Sequence, residues 1–183
     1  VITKNEKLYE KLKLIRSHGM TSLSYQRYKG HATKYDIQSL GYNYRMDDIR
    51  ASIGIIQLKK LEKDLIKRKK IRSLYIDKLK NQNAIIIPFK NDLSYVSNYI
   101  FPIIIKAEKN LEREIIREKL HLRGIQTSIH YPSVHRFSIY KNNYVELPNT
   151  DYVSNNEITL PMYSSLKSKE VDYISNSLIE ILK

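Results

Sequence analysis

The sequence predicts an α/β (α+β) chain: a long bridging helix leading into a small domain whose antiparallel or mixed sheet is covered by helices. Three observations carry this. Residues 47–79 hold a helical apolar repeat without a break. From residue 84 onward, short Ile-rich runs alternate with amphipathic stretches. Residues 1–60 hold one helix, a long unpatterned stretch and the start of the bridging helix, too little to close a core. The expected division is therefore 1–60, the tail of a larger domain, and 61–183, a small C-terminal α/β domain.

The elements follow in order. Residues 4–17 read as a helix, because Leu8, Leu12 and Ile15 recur at spacings of four and three, and Gly19 stops it. Residues 20–44 show no period and carry Tyr25, Tyr28, His31, Tyr35, Tyr42 and Tyr44, which predicts a long loop. Asp47 and Asp48 suit the N-terminus of the long helix, where the dipole favours acids. Its stripe runs through Ile49, Ile53 and Ile56, then Leu58, Leu61 and Leu65, then Ile71, Leu74 and Tyr75. Asn81 to Asn83 break it.

Ile85–Pro88 and Tyr99–Ile105 read as strands, being short and β-branched. A helix over Leu111–Leu122 ends at Gly124, and Ile125–His130 reads as a third strand. Residues 131–147 form a loop, residues 149–155 a short helix, and Ile158–Leu160 a strand stopped by Pro161. Ser168 caps a final helix with Val171, Ile174, Leu178 and Ile181 on one face.

Composition narrows the function. With no cysteine, disulfides, thiol nucleophiles and Cys-based zinc sites are excluded, which fits a cytoplasmic protein. Apolar runs such as Ile100–Ile105 are far too short to span a membrane, and no signal peptide opens the chain. The net charge of +13 raises nucleic acid as a partner, but the lysines are scattered. The densest run, Lys67–Arg72, lies in a helix and reads as a solvated face rather than a nucleic-acid site.

Five histidines are present, at 18, 31, 121, 130 and 135, and no pair has helical metal-site spacing, so no metal is expected. His130 and His135 flank the loop after a strand, a position for ligand contact or for a surface or capping role. The segment Gly41–Arg45 is the best candidate for chemistry. Asn43 donates and accepts, and Arg45 offers a planar fork for phosphate or carboxylate. In an extended loop the two face the same way, just before a helix N-terminus. Arg45 pairing with Asp47 or Asp48 is the structural alternative.

Gly41-Tyr42-Asn43-Tyr44-Arg45-Met46, continued through Ala51, Gly54, Gln57 and Leu58, closely resembles the signature of the DegT/DnrJ/EryC1/StrS family. These are pyridoxal-phosphate (PLP) sugar aminotransferases of fold type I. Other pieces agree in order: Val1-Ile2-Thr3, Arg16-Ser17-His18-Gly19, Gly124-Ile125, His130-Tyr131-Pro132 with His135, and Leu160-Pro161-Met162-Tyr163.

The resemblance implies the C-terminal part of that fold. It implies transfer of an amino group, usually from glutamate, to a nucleotide-linked keto-sugar, within cell-surface polysaccharide or lipopolysaccharide sugar synthesis. It implies a homodimer in which Asn43 and Arg45 contact the cofactor phosphate of the neighbouring subunit. It places His130, Tyr131 and His135 on the sugar-nucleotide side.

The family's PLP lysine lies upstream, in a Ser-x-x-Lys segment followed by Gly-Glu-Gly-Gly, and that segment is not among these 183 residues. Lys4 and Lys34 do not sit in it. No catalytic residue is assigned, and the polypeptide by itself is expected to bind no PLP covalently and to be inactive without a half that carries the lysine. The competing readings are a non-catalytic remnant or self-association module and a basic anion- or nucleic-acid-binding domain.

Overall fold

The computed structural model describes residues 1–21, 36–91, 96–106, 112–143 and 145–183. The expectations for residues 22–35, with His31 and Lys34, and for Leu111 lie outside the described residues. The chain divides into two compact units, Val1–Lys59 and Lys60–Lys183.

In the first unit, helix α1 spans Glu6–Ile15 and is capped by the Asn5 side chain, which accepts the Leu8 N–H. The helix is shorter than the predicted 4–17. Asn5 sets its start, and left-handed backbone at His18 (φ 61) and Gly19 (φ 70) turns the chain away after it.

The returning segment then pairs with this turn. Tyr42 N–H donates to Ile15 O at 2.7 Å, His18 N–H to Tyr42 O at 3.0 Å and Tyr44 N–H to Arg16 O at 3.0 Å. Further along, Gln38 N–H reaches Gly19 O, and Met20 bridges Ile37. Two glycines permit the approach. A Cβ on Gly19 would lie 1.9 Å from Ser39 O, and one on Gly41 would lie 2.3 Å from Gly19 N.

Helix α2 spans Asp48–Leu79, 32 residues or about 48 Å at 1.5 Å per residue. Asp47 caps it, its Oδ1 accepting the Arg50 N–H at 2.8 Å. The apolar stripe read from the sequence does not have one fate. Ile71, Tyr75 and Leu79 are buried, whereas Ile49, Ile53 and Ile56 stand exposed at 76%, 58% and 49%.

In the second unit, β1 (Ile85–Ile86), β2 (Phe101–Ile105) and β3 (Glu157–Leu160) form an antiparallel sheet in the order β1-β2-β3. The register pairs Ile85 with Ile105, Ile103 with Ile158 and Phe101 with Leu160, which puts these six side chains on one face. Pro102 sits opposite Thr159 without harming the ladder. Thr159 turns its backbone groups the other way, toward Ser128, and β1 pairs only as far as Ile104.

Helices α3 (Arg113–Leu122), α4 (Pro148–Asn156) and α5 (Ser168–Ile181) complete the unit. After α3, Gly124 at φ 73 closes a Schellman turn, with Gly124 N–H on His121 O and Ile125 N–H on Leu120 O. The α5 stripe of Val171, Ile174, Leu178 and Ile181 is buried as expected. Ser168 is the first helical residue rather than the cap; Lys167 precedes it, its N–H held by the Glu170 carboxylate at 2.7 Å. At the centre of the core, Tyr75 is fully buried, stacks on Phe101 at 4.7 Å and donates its hydroxyl to Pro161 O at 2.9 Å.

Two sequence expectations are corrected. Residues 125–130 do not form a strand; they touch β3 through a single bridge, Ser128 to Thr159. The next hydrogen-bonding positions on that edge are Glu157 and residue 161, and both are closed. Pro161 has no N–H. The Glu157 N–H ends helix α4 on Val153 O, and the His130 N–H goes to the Glu157 carboxylate instead of the strand. The loop 131–147 in turn contains 3-10 turns at Val134–Arg136 and Ser138–Asn143.

Removing the Tyr75 hydroxyl leaves the partly buried Pro161 carbonyl without its donor, so Tyr75→Phe should lower unfolding free energy by about 1 kcal/mol. Tyr75→Ala should cost about 3–5 kcal/mol, both read from urea unfolding curves. Gly41→Ala should speed hydrogen exchange at the His18, Tyr42 and Tyr44 amides while leaving Ile103 protected, because the new methyl meets only backbone. Unchanged exchange at those three amides would show that glycine is not needed at position 41.

Candidate functional site

The first cluster grows from the pairing of residues 15–21 with 36–44. An antiparallel bridge sets Asn43 against Ser17, so the side chains at 43 and 45 project from the same side of an extended segment. Arg45 Nε donates to Asn43 Oδ1 at 3.0 Å, and Arg45 Nη2 lies 3.2 Å from His18 Nε2. The rings of Tyr42 and Tyr44 stack on each other at 5.0 Å.

The sequence therefore anticipated the common direction of Asn43 and Arg45, and missed His18, which the left-handed turn delivers. Asp47 takes Arg50 at 3.1 Å and caps α2. The resulting group is exposed, cationic and oriented. Asn43 spends its carbonyl oxygen on Arg45, which leaves an amide N–H₂ as its outward chemistry. This donor set fits a phosphate: a guanidinium fork beside neutral donors.

The second cluster lies in the other unit, around the residues after Ile129. His130, Tyr131 and His135 line one open cleft of about 860 Å³, with Pro132, Tyr140, Leu147 and Val153 among its walls. His130 also lines a neighbouring cleft of about 630 Å³ that includes Tyr99, Gln126, Ser128 and Tyr163. It thus stands where the two clefts meet. The Tyr99 ring meets it edge-on at 6.4 Å, and the Tyr131 ring lies 4.7 Å away.

Behind His130 stand two residues the sequence reading left out of the site. Its N–H donates to Glu157 Oε2 at 2.9 Å, and its Nδ1 lies 2.9 Å from Thr159 Oγ1. The Thr159 hydroxyl in turn donates to Glu157 Oε1. Their signal was present: β3 reads Glu-Ile-Thr-Leu, polar at alternate positions, so Glu157 and Thr159 share the sheet face away from the core.

His135 has a different support. Its Nε2 lies 3.2 Å from Asp151 Oδ1 on α4, while Arg136 Nη2 sits 2.5 Å from Asp151 Oδ2. The Arg136 guanidinium holds the Asp151 carboxyl well below the usual carboxylate range, against an opposing effect of burial, and Ser133 and His135 add hydrogen bonds. Ser154 ties the loop to α4 by donating its hydroxyl to Tyr131 O at 3.0 Å. No local pattern announces the His135–Asp151 contact, because the partners belong to separate elements. Among the described residues no three His, Cys, Asp or Glu side chains gather as a metal site, and no helix is long and apolar enough to cross a membrane.

A depressed folded pKa makes Asp151 stabilise the fold above its unfolded value of about 4, and this contribution is lost as pH falls below that. The urea midpoint of Asp151→Asn should lie below that of the unsubstituted chain at neutral pH. The gap should narrow on acidification toward pH ~2. A gap independent of pH would exclude the charge as its origin.

Comparison with known proteins gives one consistent answer. The model of the DegT/DnrJ/EryC1/StrS aminotransferase family matches residues 1–179. A UDP-4-amino-4,6-dideoxy-N-acetyl-beta-L-altrosamine transaminase of Campylobacter jejuni is 33% identical over 186 residues, covering 100% of this chain and 47% of that protein. The Helicobacter pylori protein of the same name is 30% identical, covering 98% and 47%.

Among solved structures, Helicobacter pylori PseC, an aminotransferase of pseudoaminic acid biosynthesis, superposes with a TM-score of 0.87 at 27% identity, covering 98% of this chain and 47% of that one. The sugar aminotransferase Spr1654 of Streptococcus pneumoniae, in its PMP form, gives 0.81 at 27% identity, covering 98% and 46%. The chain spans about half the length of the curated relatives it matches. Signature loop, fold and family model agree, and this chain belongs to the DegT/DnrJ/EryC1/StrS aminotransferase family.

Proposed function

We propose that this chain is the C-terminal half of a pyridoxal-phosphate-dependent aminotransferase acting on a nucleotide-linked keto-sugar, with glutamate as amino donor and a homodimer as the working form. The observation that carries this is the family-model match over residues 1–179, together with relatives along the whole chain that are named as UDP-sugar transaminases. Residues 1–60 are assigned to the end of the cofactor-binding domain and 61–183 to the small domain. When bound, the cofactor supplies the electron sink and carries the amino group.

Every role assigned to this chain is one of binding and orientation. Arg45 presents its guanidinium fork to the cofactor phosphate of the neighbouring subunit. Asn43 fixes the plane of that guanidinium through its carbonyl oxygen and adds its own amide N–H₂ as a donor. His18, 3.2 Å from Nη2, supports the same guanidinium from its other edge.

His130, Tyr131 and His135 line the sugar-nucleotide side, an open cleft with apolar walls and few fixed polar groups, the usual makeup of a small-molecule site. The covalent step belongs to a lysine in the family's Ser-x-x-Lys segment, and no lysine of this chain is assigned to it. The exposed isoleucines of the first half of α2 supply apolar surface for the remainder of such an enzyme.

The test is cofactor retention in the enzyme assembled with the lysine-bearing half. Arg45→Ala should weaken retention of pyridoxal 5′-phosphate by about tenfold or more, the scale of one charged hydrogen bond, and Asn43→Ala by less. Retention is read from the cofactor absorbance left after gel filtration. Equal retention in Arg45→Ala and the unsubstituted enzyme would remove Arg45 from the phosphate site. Failure of the assembled enzyme to aminate any UDP-linked keto-sugar would overturn the reading as a whole.

A further inference from the structure

We propose that Glu157 and Thr159 are positioning residues that hold His130 as the neutral tautomer protonated at Nδ1, so that Nε2 offers a lone pair where the two clefts meet and accepts a hydrogen bond from a sugar hydroxyl.

The argument is a count of protons. Glu157 is only 3% exposed, in a strand whose four residues are all buried. As a carboxylate it has acceptors only. One oxygen, Oε2, receives the His130 N–H at 2.9 Å. The other, Oε1, receives the Thr159 hydroxyl. A hydroxyl has one proton, so Thr159 Oγ1 turns only lone pairs toward His130 Nδ1, 2.9 Å away. That contact is a hydrogen bond only if Nδ1 carries the proton. In a neutral imidazole the other nitrogen is then bare, and Nε2 is an acceptor.

The arrangement is rigid for the same reasons that it is ordered. Thr159 is β-branched and sits in a strand, so its χ1 is restricted. Its neighbour Ser128 bridges it through the main chain in both directions, 3.1 and 2.9 Å. The His130 ring is flanked by Tyr99 and Tyr131.

A fixed acceptor selects its ligand. It takes a hydroxyl or an ammonium and turns away the diphosphate bridge of a nucleotide sugar, whose oxygens are all ionised or esterified at neutral pH. Gln126, Ser128 and Tyr163 line the smaller cleft beside it and provide further hydrogen-bonding groups suited to a polyol. The use of this acceptor for a sugar rests on the aminotransferase reading; the tautomer itself does not.

Long-range proton–nitrogen NMR on the histidine-labelled 183-residue chain, above the usual histidine pKa, reads the tautomer directly. The unsubstituted chain should show His130 protonated at Nδ1 and bare at Nε2. Glu157→Gln should invert it. The His130 N–H forces the amide to present its carbonyl there, so the amide N–H₂ faces Thr159. The Thr159 hydroxyl then donates to Nδ1, and the ring proton moves to Nε2. Thr159→Ser, which keeps the hydroxyl, should retain the original tautomer, and Thr159→Val should lose the preference.

His130 protonated at Nε2 in the unsubstituted chain, or a folded Glu157→Gln chain with an unchanged tautomer, overturns the relay. If Glu157→Gln does not fold, the unsubstituted, Thr159→Ser and Thr159→Val spectra decide. In the assembled enzyme, Glu157→Gln should raise KM for the nucleotide sugar about tenfold and leave KM for the amino donor unchanged. An equal loss with both substrates overturns the acceptor role while leaving the NMR result standing. Absence of any sugar turnover in the unsubstituted enzyme counts instead against the aminotransferase reading.

Discussion

The carboxylate of Glu157 shapes more of the second unit than any other polar group. It lies in a buried strand, next to Ile158 and opposite Ile104, where an unpartnered charge would be costly, and two donors satisfy it: the His130 N–H and the Thr159 hydroxyl. By taking the His130 N–H it prevents residues 125–130 from continuing along β3. With Pro161 closing the other end, the sheet stops at three strands and the chain leaves its edge at His130. Residues 124–128 run beside that edge and line one cleft, and His130, where the chain turns away, lines both. A single buried side chain thus converts a sheet edge into a concave, polar surface. It also removes the hazard that an open edge presents to other chains.

The two units solve the problem of holding a loop by opposite means. In the second unit an apolar core does the work, with Tyr75 fixing the end of α2 to Phe101 by stacking and to Pro161 by a hydrogen bond. In the first, none of the residues of α1 is buried, and the loop is held by backbone hydrogen bonds between residues 15–21 and 36–44. A main-chain ladder needs glycine where strands come too close, and leaves side chains free to face outward. Asn43, Arg45 and the Tyr42–Tyr44 stack use that freedom, so the candidate phosphate contacts are side chains that face outward from the ladder.

Much of this was legible in the sequence, and the reasons are local. Asp47 and Asn81 bracket α2 because capping and helix-breaking are properties of single residues. The α5 stripe and the Gly124 stop follow from periodicity and from glycine's left-handed backbone. Asn43 and Arg45 share a side because alternate residues of any extended segment do.

What escaped depends on partners distant in sequence. Ile125–His130 has the composition of a strand, and only the Glu157 N–H and carboxylate, both already engaged, and the proline at 161 show why it is not one. His135 meets Asp151 across a loop that no pattern registers. The isoleucines of α2 read alike at 53 and 71, yet only the second has a core to enter.

That last contrast has a consequence for the life of the protein in a cell. Ile49, Ile53 and Ile56, with Met46 and Leu58 nearby, form an oily stretch on a helix already complete in its hydrogen bonding. Quality-control machinery does not ask whether such a surface belongs to a misfolded chain or to one awaiting its complement; it responds to the exposed side chains themselves. Until that stretch is covered, it is a surface that chaperones and proteases recognise.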